Sequence, residues 1–242
     1  MRGDQHVVIT LFSGGLLLAP HVALFAPSEV AALLFGLFVG SLAPDADATD
    51  AAIFHTRVPG LRGPTSGLVN GAAQTLPFFG YLIRYAEYYP AAGIFWLLSC
   101  GRLRAGHRGV LHSLLGVALC TVLTGLYCAL ALHLLDWSAP TLLALGVVGF
   151  GAGALLHLAE DSCTPGGIAW LYPLSGRRVR GRLRSGGRTD PRTRLFGMAL
   201  GAAMWGCVAL LFWFETPAAK VAQLSVFLFC ALWTFFYLSA RS

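Results

Sequence analysis

Long apolar runs broken at a few fixed places dominate this chain. Residues 5–26 form the first run able to cross a membrane, and residues 29–43 a second, shorter one that Pro44 stops. Residues 109–135 and 140–161 read as long apolar helices, and 195–214 and 218–239 as a final, nearly uncharged pair. Most approach the roughly 20 apolar residues that span a bilayer. Residues 51–67 are a loop rich in Gly and Pro. Residues 68–103 hold two apolar pieces, 68–83 and 91–100, separated by Arg84, Glu87 and Pro90. Each piece is short for a span, so a pair of short spans and a re-entrant hairpin both fit. The pattern predicts an all-α, polytopic transmembrane helical bundle with about six full spans plus a short hairpin. Residues 1–194 form the membrane-embedded part with an Arg-rich loop at 175–194, and 195–242 a C-terminal pair of helices.

Composition agrees. The chain is 56% hydrophobic and 12% charged, with a mean hydropathy of +0.68. A water-soluble domain carries about a quarter charged residues, so this chain lacks the charge to coat a wet surface. The first run starts at His6 with almost no basic leader, which marks it as a span rather than a cleaved signal peptide. The six cysteines are scattered without a C-x-x-C pair, which argues against a disulfide framework and a thiolate zinc site. Cys163, the one near the polar clusters, reads as structural. Of the 17 basic residues, eight are arginines between Arg177 and Arg194. A basic run beside membrane helices sets topology and attracts anionic headgroups; it does not indicate nucleic acid.

Chemistry is confined to four places, each at the end of an apolar run: His6; Asp45 and Asp47; His107 to Ser113; and His157 to Asp161. His157 and Asp161 are four apart and share a helix face, so they can ligate one ion together. Asp45 and Asp47 follow a proline that frees their backbone to turn. His107 and His112 are five apart, which places His107 in the loop and His112 in the first helical turn. Arg108 suits a phosphate because its fork binds two oxygens, and Ser113 either orients a ligand or caps the helix. Taken singly, each is as well explained by a solvated turn, an interfacial anchor or a cap. His21 and His133 lie at the opposite edge, and His55 lies in a loop.

Topology tests whether the four places meet. His6 and His107–His112 begin spans; Asp45, Asp47, His157 and Asp161 end them. An even number of crossings between Asp50 and His107 puts all four on one face. The arginine loop shares that face, which the positive-inside rule makes cytoplasmic. Carboxylates and imidazoles at membrane depth are costly unless paired or functional, and together they favour zinc or a similar ion. His6, Asp45, Asp47, His107, His112, His157 and Asp161 exceed one tetrahedral site, which points to a cluster of two or three zinc ions, with manganese or iron as alternatives.

These residues resemble the YdjM-type family of bacterial membrane-bound, metal-dependent hydrolases. The resemblance rests on His6, Leu42-Ala43-Pro44-Asp45-Ala46-Asp47, His107-Arg108-Gly109-Val110-Leu111-His112-Ser113, and His157-Leu158-Ala159-Glu160-Asp161 followed by Thr164-Pro165-Gly166-Gly167 and Tyr172-Pro173. It covers roughly residues 1–180. The family carries a histidine directly after the second aspartate, where this chain has Ala48; Asp50 and His55 are the nearby substitutes. The H-x-x-x-D pairing and the N-terminal ligand are more distantly similar to zinc-dependent phospholipases C and related nucleases, which implies phosphoester hydrolysis.

The resulting expectation is a multi-pass enzyme of a bacterial or archaeal inner membrane that cleaves a phosphoester of a phospholipid or polyprenyl-phosphate lipid by a metal-activated hydroxide. Arg108, Ser113, Arg177 and Arg178 hold the phosphate, Asp161 and Arg108 act at the reacting centre, and Glu160 passes the proton. A di-iron lipid hydroxylase or desaturase is one rival, though it normally needs more histidines than the four available here. A lipid or metal transporter is another, and there ionisable groups belong near mid-membrane.

Overall fold

The computed structural model describes residues 1–48, 50–58, 66–98, 100, 101, 109–184 and 190–241, and among them helix is the dominant structure. Among the described residues, five apolar helices are long enough to cross a bilayer. The first is α1 (Gly3–Leu18), extended as a 3-10 helix over Ala19–Leu24. A shorter α2 (Pro27–Gly40) follows, and then three short helices, α3 (Ser66–Ala73), α4 (Leu76–Leu82) and α5 (Tyr89–Leu98). The remaining long helices are α6 (Leu114–Leu134), α7 (Pro140–Asp161), α8 (Pro191–Phe212) and α9 (Ala218–Ser239). The chain is thus an all-α, multi-pass membrane protein. Val122, Leu126 and Leu130, four residues apart on α6, are all more than half exposed, as a lipid-facing stripe requires.

The centre of the bundle is the contact between α2 and α7, which run parallel. Gly36 faces the Gly146 carbonyl and Gly40 the Phe150 carbonyl; in return Gly149 faces Leu33 and Gly153 faces Leu37. A Cβ at Gly40 or Gly153 would run into the opposite backbone. Small residues spaced by four on both helices let the backbones approach closely, which replaces the hydrophobic drive that lipid cannot supply. On one flank α6 packs on α7; on the other α8 and α9 pack against α1. Phe196 stacks on Phe236 there, with Trp233 edge-on to both.

The two apolar pieces read at 68–83 and 91–100 are joined where Arg84, Glu87 and Pro90 stand: helix continues from Leu76 to Leu98 through a π-helical turn, Ile83–Tyr88. The Tyr89 N–H bonds the Arg84 carbonyl five residues back. Pro90 explains the widening, since its ring would clash with the Ala86 carbonyl in α geometry and it has no N–H to offer. That carbonyl instead accepts from the Tyr127 hydroxyl of α6 at 3.1 Å. Glu87, fully buried, accepts from Thr124 of the same helix at 2.9 Å. Partners on α6 therefore hold the wide turn where the sequence shows only charge and proline.

Candidate metal centre

Four local features bring the polar clusters to one level. Gln5 accepts from the Arg2 N–H and fixes the start of α1, with His6 in its first turn. Past Gly40, the 3-10 turn Ala43–Asp47, with Pro44 in its first turn, lets the chain bend and presents Asp45 and Asp47. Ser113 caps α6, accepting from Gly116 N at 3.0 Å and donating to the Val110 carbonyl at 2.7 Å. His112 therefore stands one residue outside the helix cap, not in the first turn as its spacing suggests. His157, Glu160 and Asp161 occupy the last turns of α7.

The three imidazoles are arranged alike. Each has Nδ1 turned to an oxygen of the protein: His157 to the Ser41 carbonyl at 2.7 Å, His6 to Glu160 Oε2 at 2.7 Å, and His112 to Asp47 Oδ2 at 3.4 Å. A carbonyl can only accept, so His157 carries its proton on Nδ1 and offers a lone pair at Nε2. Every Nε2 then faces a second carboxylate: His112 and His157 meet Asp45 Oδ1 at 3.4 and 3.6 Å, and His6 meets Asp161 Oδ1 at 3.6 Å. These lengths exceed the ~2.7–3.2 Å of a hydrogen bond. They match the edge of a tetrahedron around an ion bound at ~2.0–2.2 Å, which is roughly 3.3–3.6 Å.

Burial sharpens the point. His6, His112, His157 and Glu160 are fully buried and Asp161 is 1% exposed. Nε2 of His6 and of His157 are buried without a hydrogen bond, a costly state for polar atoms unless something else meets them. The rings of His6 and His157 stack at 3.9 Å, and His112 stands edge-on to His157 at 5.5 Å. Burial alone would raise the Asp45 pKa, but the imidazoles of His157 and His112 outweigh it and hold the carboxyl well below its usual range. Burial likewise lowers His112, yet Asp45 and Asp47 lift it to about 9. Carboxylates and imidazoles thus offset one another across the cluster. The donors fall into two overlapping sets, His6–Asp45–His157 and His112–His157–Asp161.

Beside these donors opens a cavity of about 530 Å³, bordered by Arg2, Asp4, Asp45, Asp50, His55 and Asp161. The Met1 amino group stands 2.7 Å from Asp161 Oδ1. Thr10 donates to Glu160 Oε1 at 3.2 Å.

The sequence-predicted residues separate accordingly. His6, Asp45, His112, His157 and Asp161 converge as donors. Asp47 stands 3.4 Å from His112 Nδ1, across that ring from Asp45. Glu160 stands 2.7 Å from His6 Nδ1. Ser113 has its hydroxyl spent on the helix cap. Arg178 bonds the carbonyls of Gly166 and Gly167, and neither it nor Arg177 borders the cavity. His107 and Arg108 lie outside the described residues. Asp50 and His55, the substitutes for the histidine absent at Ala48, line the cavity without entering either donor set. Sequence reasoning missed Thr10, which polar spacing on α1 could have flagged, and the Ser41 carbonyl, a backbone atom with no residue signature. It also missed Arg84, which reaches the Ala48 carbonyl at 3.4 Å.

A family model described as YdjM inner membrane protein matches residues 1–241. No curated protein and no solved structure matches the chain, so the likeness to zinc-dependent phospholipases C and nucleases gains no support.

Proposed function

From the premise that this chain belongs to the YdjM family of inner membrane proteins, we propose that it is a metal-dependent hydrolase acting on a phosphoester of a membrane lipid. The reading rests on one observation: three imidazole Nε2 atoms face the carboxylates of Asp45 and Asp161 at 3.4–3.6 Å. His6, His112, His157, Asp45 and Asp161 would hold two divalent ions, best matched to zinc. Five protein donors are more than the three that hold a single catalytic zinc. When bound, such ions lower the pKa of water to near 7 and polarise a phosphoryl oxygen.

The chain's own residues do the rest. Asp47, Glu160 and the Ser41 carbonyl fix the three rings from behind and raise their basicity. Asp45, the most accessible donor at 22% side-chain exposure, faces the cavity where a headgroup enters. Arg2, paired with Asp4 at 3.0 Å, borders that cavity beside the Met1 amino group, and Arg108 is proposed to join it at the phosphate. With the arginine segment on the same face, the site lies on the cytoplasmic side by the positive-inside rule. A phospholipid or polyprenyl phosphate fits because the site opens at headgroup depth.

The test is metal content of purified protein by mass spectrometry, beside phosphate or headgroup release from lipid vesicles. About two zinc ions per chain, lost in the His112→Ala, Asp161→Ala double variant together with release, is the expected result. Bound iron without release, or no metal in the wild type, would overturn it.

A further inference from the structure

On the far side of α7 from the donors lies a second crevice, of about 400 Å³, between the ends of α7 and α9. Ala159 and Ser162 form one wall, Trp233, Tyr237 and Leu238 the other, and Trp170 closes it from the loop after α7. Both indoles are fixed by bonds inside the protein. Trp170 donates to Ser162 Oγ at 2.8 Å, and Trp233 donates to Ser13 Oγ of α1 at 3.1 Å. With their N–H groups so engaged, the rings offer the crevice apolar faces. Phe235 and Leu238, both mainly exposed, continue the apolar surface outward.

At the α9 end of this crevice the charge is positive. The Arg241 guanidinium lies 4.2 Å over the Tyr237 ring and bonds its hydroxyl. The Arg182 N–H bonds the Ala240 carbonyl, and the Arg192 side chain bonds the Ser239 carbonyl, both at 2.6 Å. Arg192 is also neutralised by Asp190. Arg241 has no carboxylate partner among the described residues. An apolar slot of this size, walled by two tryptophans and topped by an arginine with no carboxylate partner among the described residues, complements a lipid with a negative headgroup.

We propose that this crevice binds an anionic phospholipid, with one acyl chain between Trp170 and Trp233 and the headgroup phosphate on Arg241. The site is separate from the metal centre and stands whether or not that centre hydrolyses lipid. α7 joins the two, since Ala159 and Ser162 flank Glu160 and Asp161.

The protein is reconstituted in phosphatidylcholine vesicles containing a minor fraction of phosphatidylglycerol, with bromine on the acyl chains of one lipid or the other. Bromine quenches tryptophan fluorescence on contact. The crevice's share is the part lost in a Trp170→Phe, Trp233→Phe double variant. Brominated phosphatidylglycerol is expected to quench that share at about a fivefold lower mole fraction than brominated phosphatidylcholine. Arg241→Gln should abolish the preference, and Thr234→Phe, which fills the crevice from an exposed position on α9, should reduce quenching by both. Equal quenching by the two lipids in the wild type, a preference that survives Arg241→Gln, or quenching unchanged by Thr234→Phe would each overturn the proposal.

Discussion

Gly153 couples the packing of the bundle to the chemistry of the site, and a single methyl group there is expected to open both. A Cβ at this position would meet the Leu37 carbonyl oxygen, with Ser41 N at 2.9 Å and Gly40 C at 3.1 Å. Ordinary contact needs about 3.5 Å or more, so α2 must retreat by roughly 1 Å. Overpacking of this kind costs about 1–3 kcal/mol. The atoms that move are the ones that set the site: the Ser41 carbonyl holds His157 Nδ1 at 2.7 Å, and Asp45 follows four residues later. Ligand distances tolerate only ~0.2 Å, so metal affinity should fall by about a hundredfold, the scale of a 1 Å misplacement. Gly146→Ala is the control. It lies on the same helix, but its Cβ would meet only the Ala32 oxygen at 3.7 Å, and alanine gains up to ~1 kcal/mol of helix propensity. Zinc affinity by competition with a chromophoric chelator, and melting temperature in detergent, distinguish the two variants. If Gly153→Ala binds zinc as the wild type does, the helix contact does not position the site. If both variants lose metal, the cause is not this contact.

Three further outcomes are expected. The Asp190 carboxyl caps α8, and the Arg192 side chain beside it holds its pKa at about 2, below the usual 3.8. Because the folded value is depressed, its stabilisation is full above pH 4 and fades as pH falls towards 2; Asp190→Asn should flatten that part of a melting-temperature profile. Tyr127→Phe leaves the Ala86 carbonyl unmet and should cost about 1–3 kcal/mol. In a Pro90→Ala background the new N–H can take that carbonyl, so the same change should cost markedly less in a double-mutant cycle by thermal unfolding. Zinc at a hundredfold excess over its dissociation constant should stabilise the folded protein by about 2.7 kcal/mol. That gain should vanish in His157→Ala and return to zero on adding a chelator.

Much of this architecture can be read directly from residue pattern. Pro140 and Asp161 bound α7, and Ala218 and Ser239 bound α9, where hydropathy puts them. Pro44 breaks the chain where Asp45 and Asp47 must turn, and counting crossings places four clusters on one face. The start of α8 is at Pro191, four residues before the apolar run. Asp190 and Pro191 signal a cap and a first turn, but Arg192 and Arg194 disguise the helix as loop. The π turn is hidden more deeply, because its stabilising partners, Tyr127 and Thr124, lie some forty residues away. Which ring nitrogen faces the carboxylates is hidden for the same reason. His157 looks like His6 in sequence, and only the Ser41 carbonyl and the Glu160 carboxylate, brought by other elements, decide how each ring is used.

The short length of α2 ties these observations together. Its 14 residues rise about 21 Å, well short of the roughly 30 Å hydrocarbon core. Because it runs parallel to α7 with Gly40 opposite Phe150, it ends about three turns before α7 does at Asp161. The vacated level is the one that His157 and Asp161 occupy, and the 3-10 turn with Asp45 and Asp47 fills it. A full-length α2 would cover these side chains with leucine and valine. An α2 without Gly36 and Gly40 would stand too far from α7 for Ser41 to reach His157. The recessed polar pocket therefore needs both features, an early proline stop and a glycine seam, and neither lies among the candidate donors.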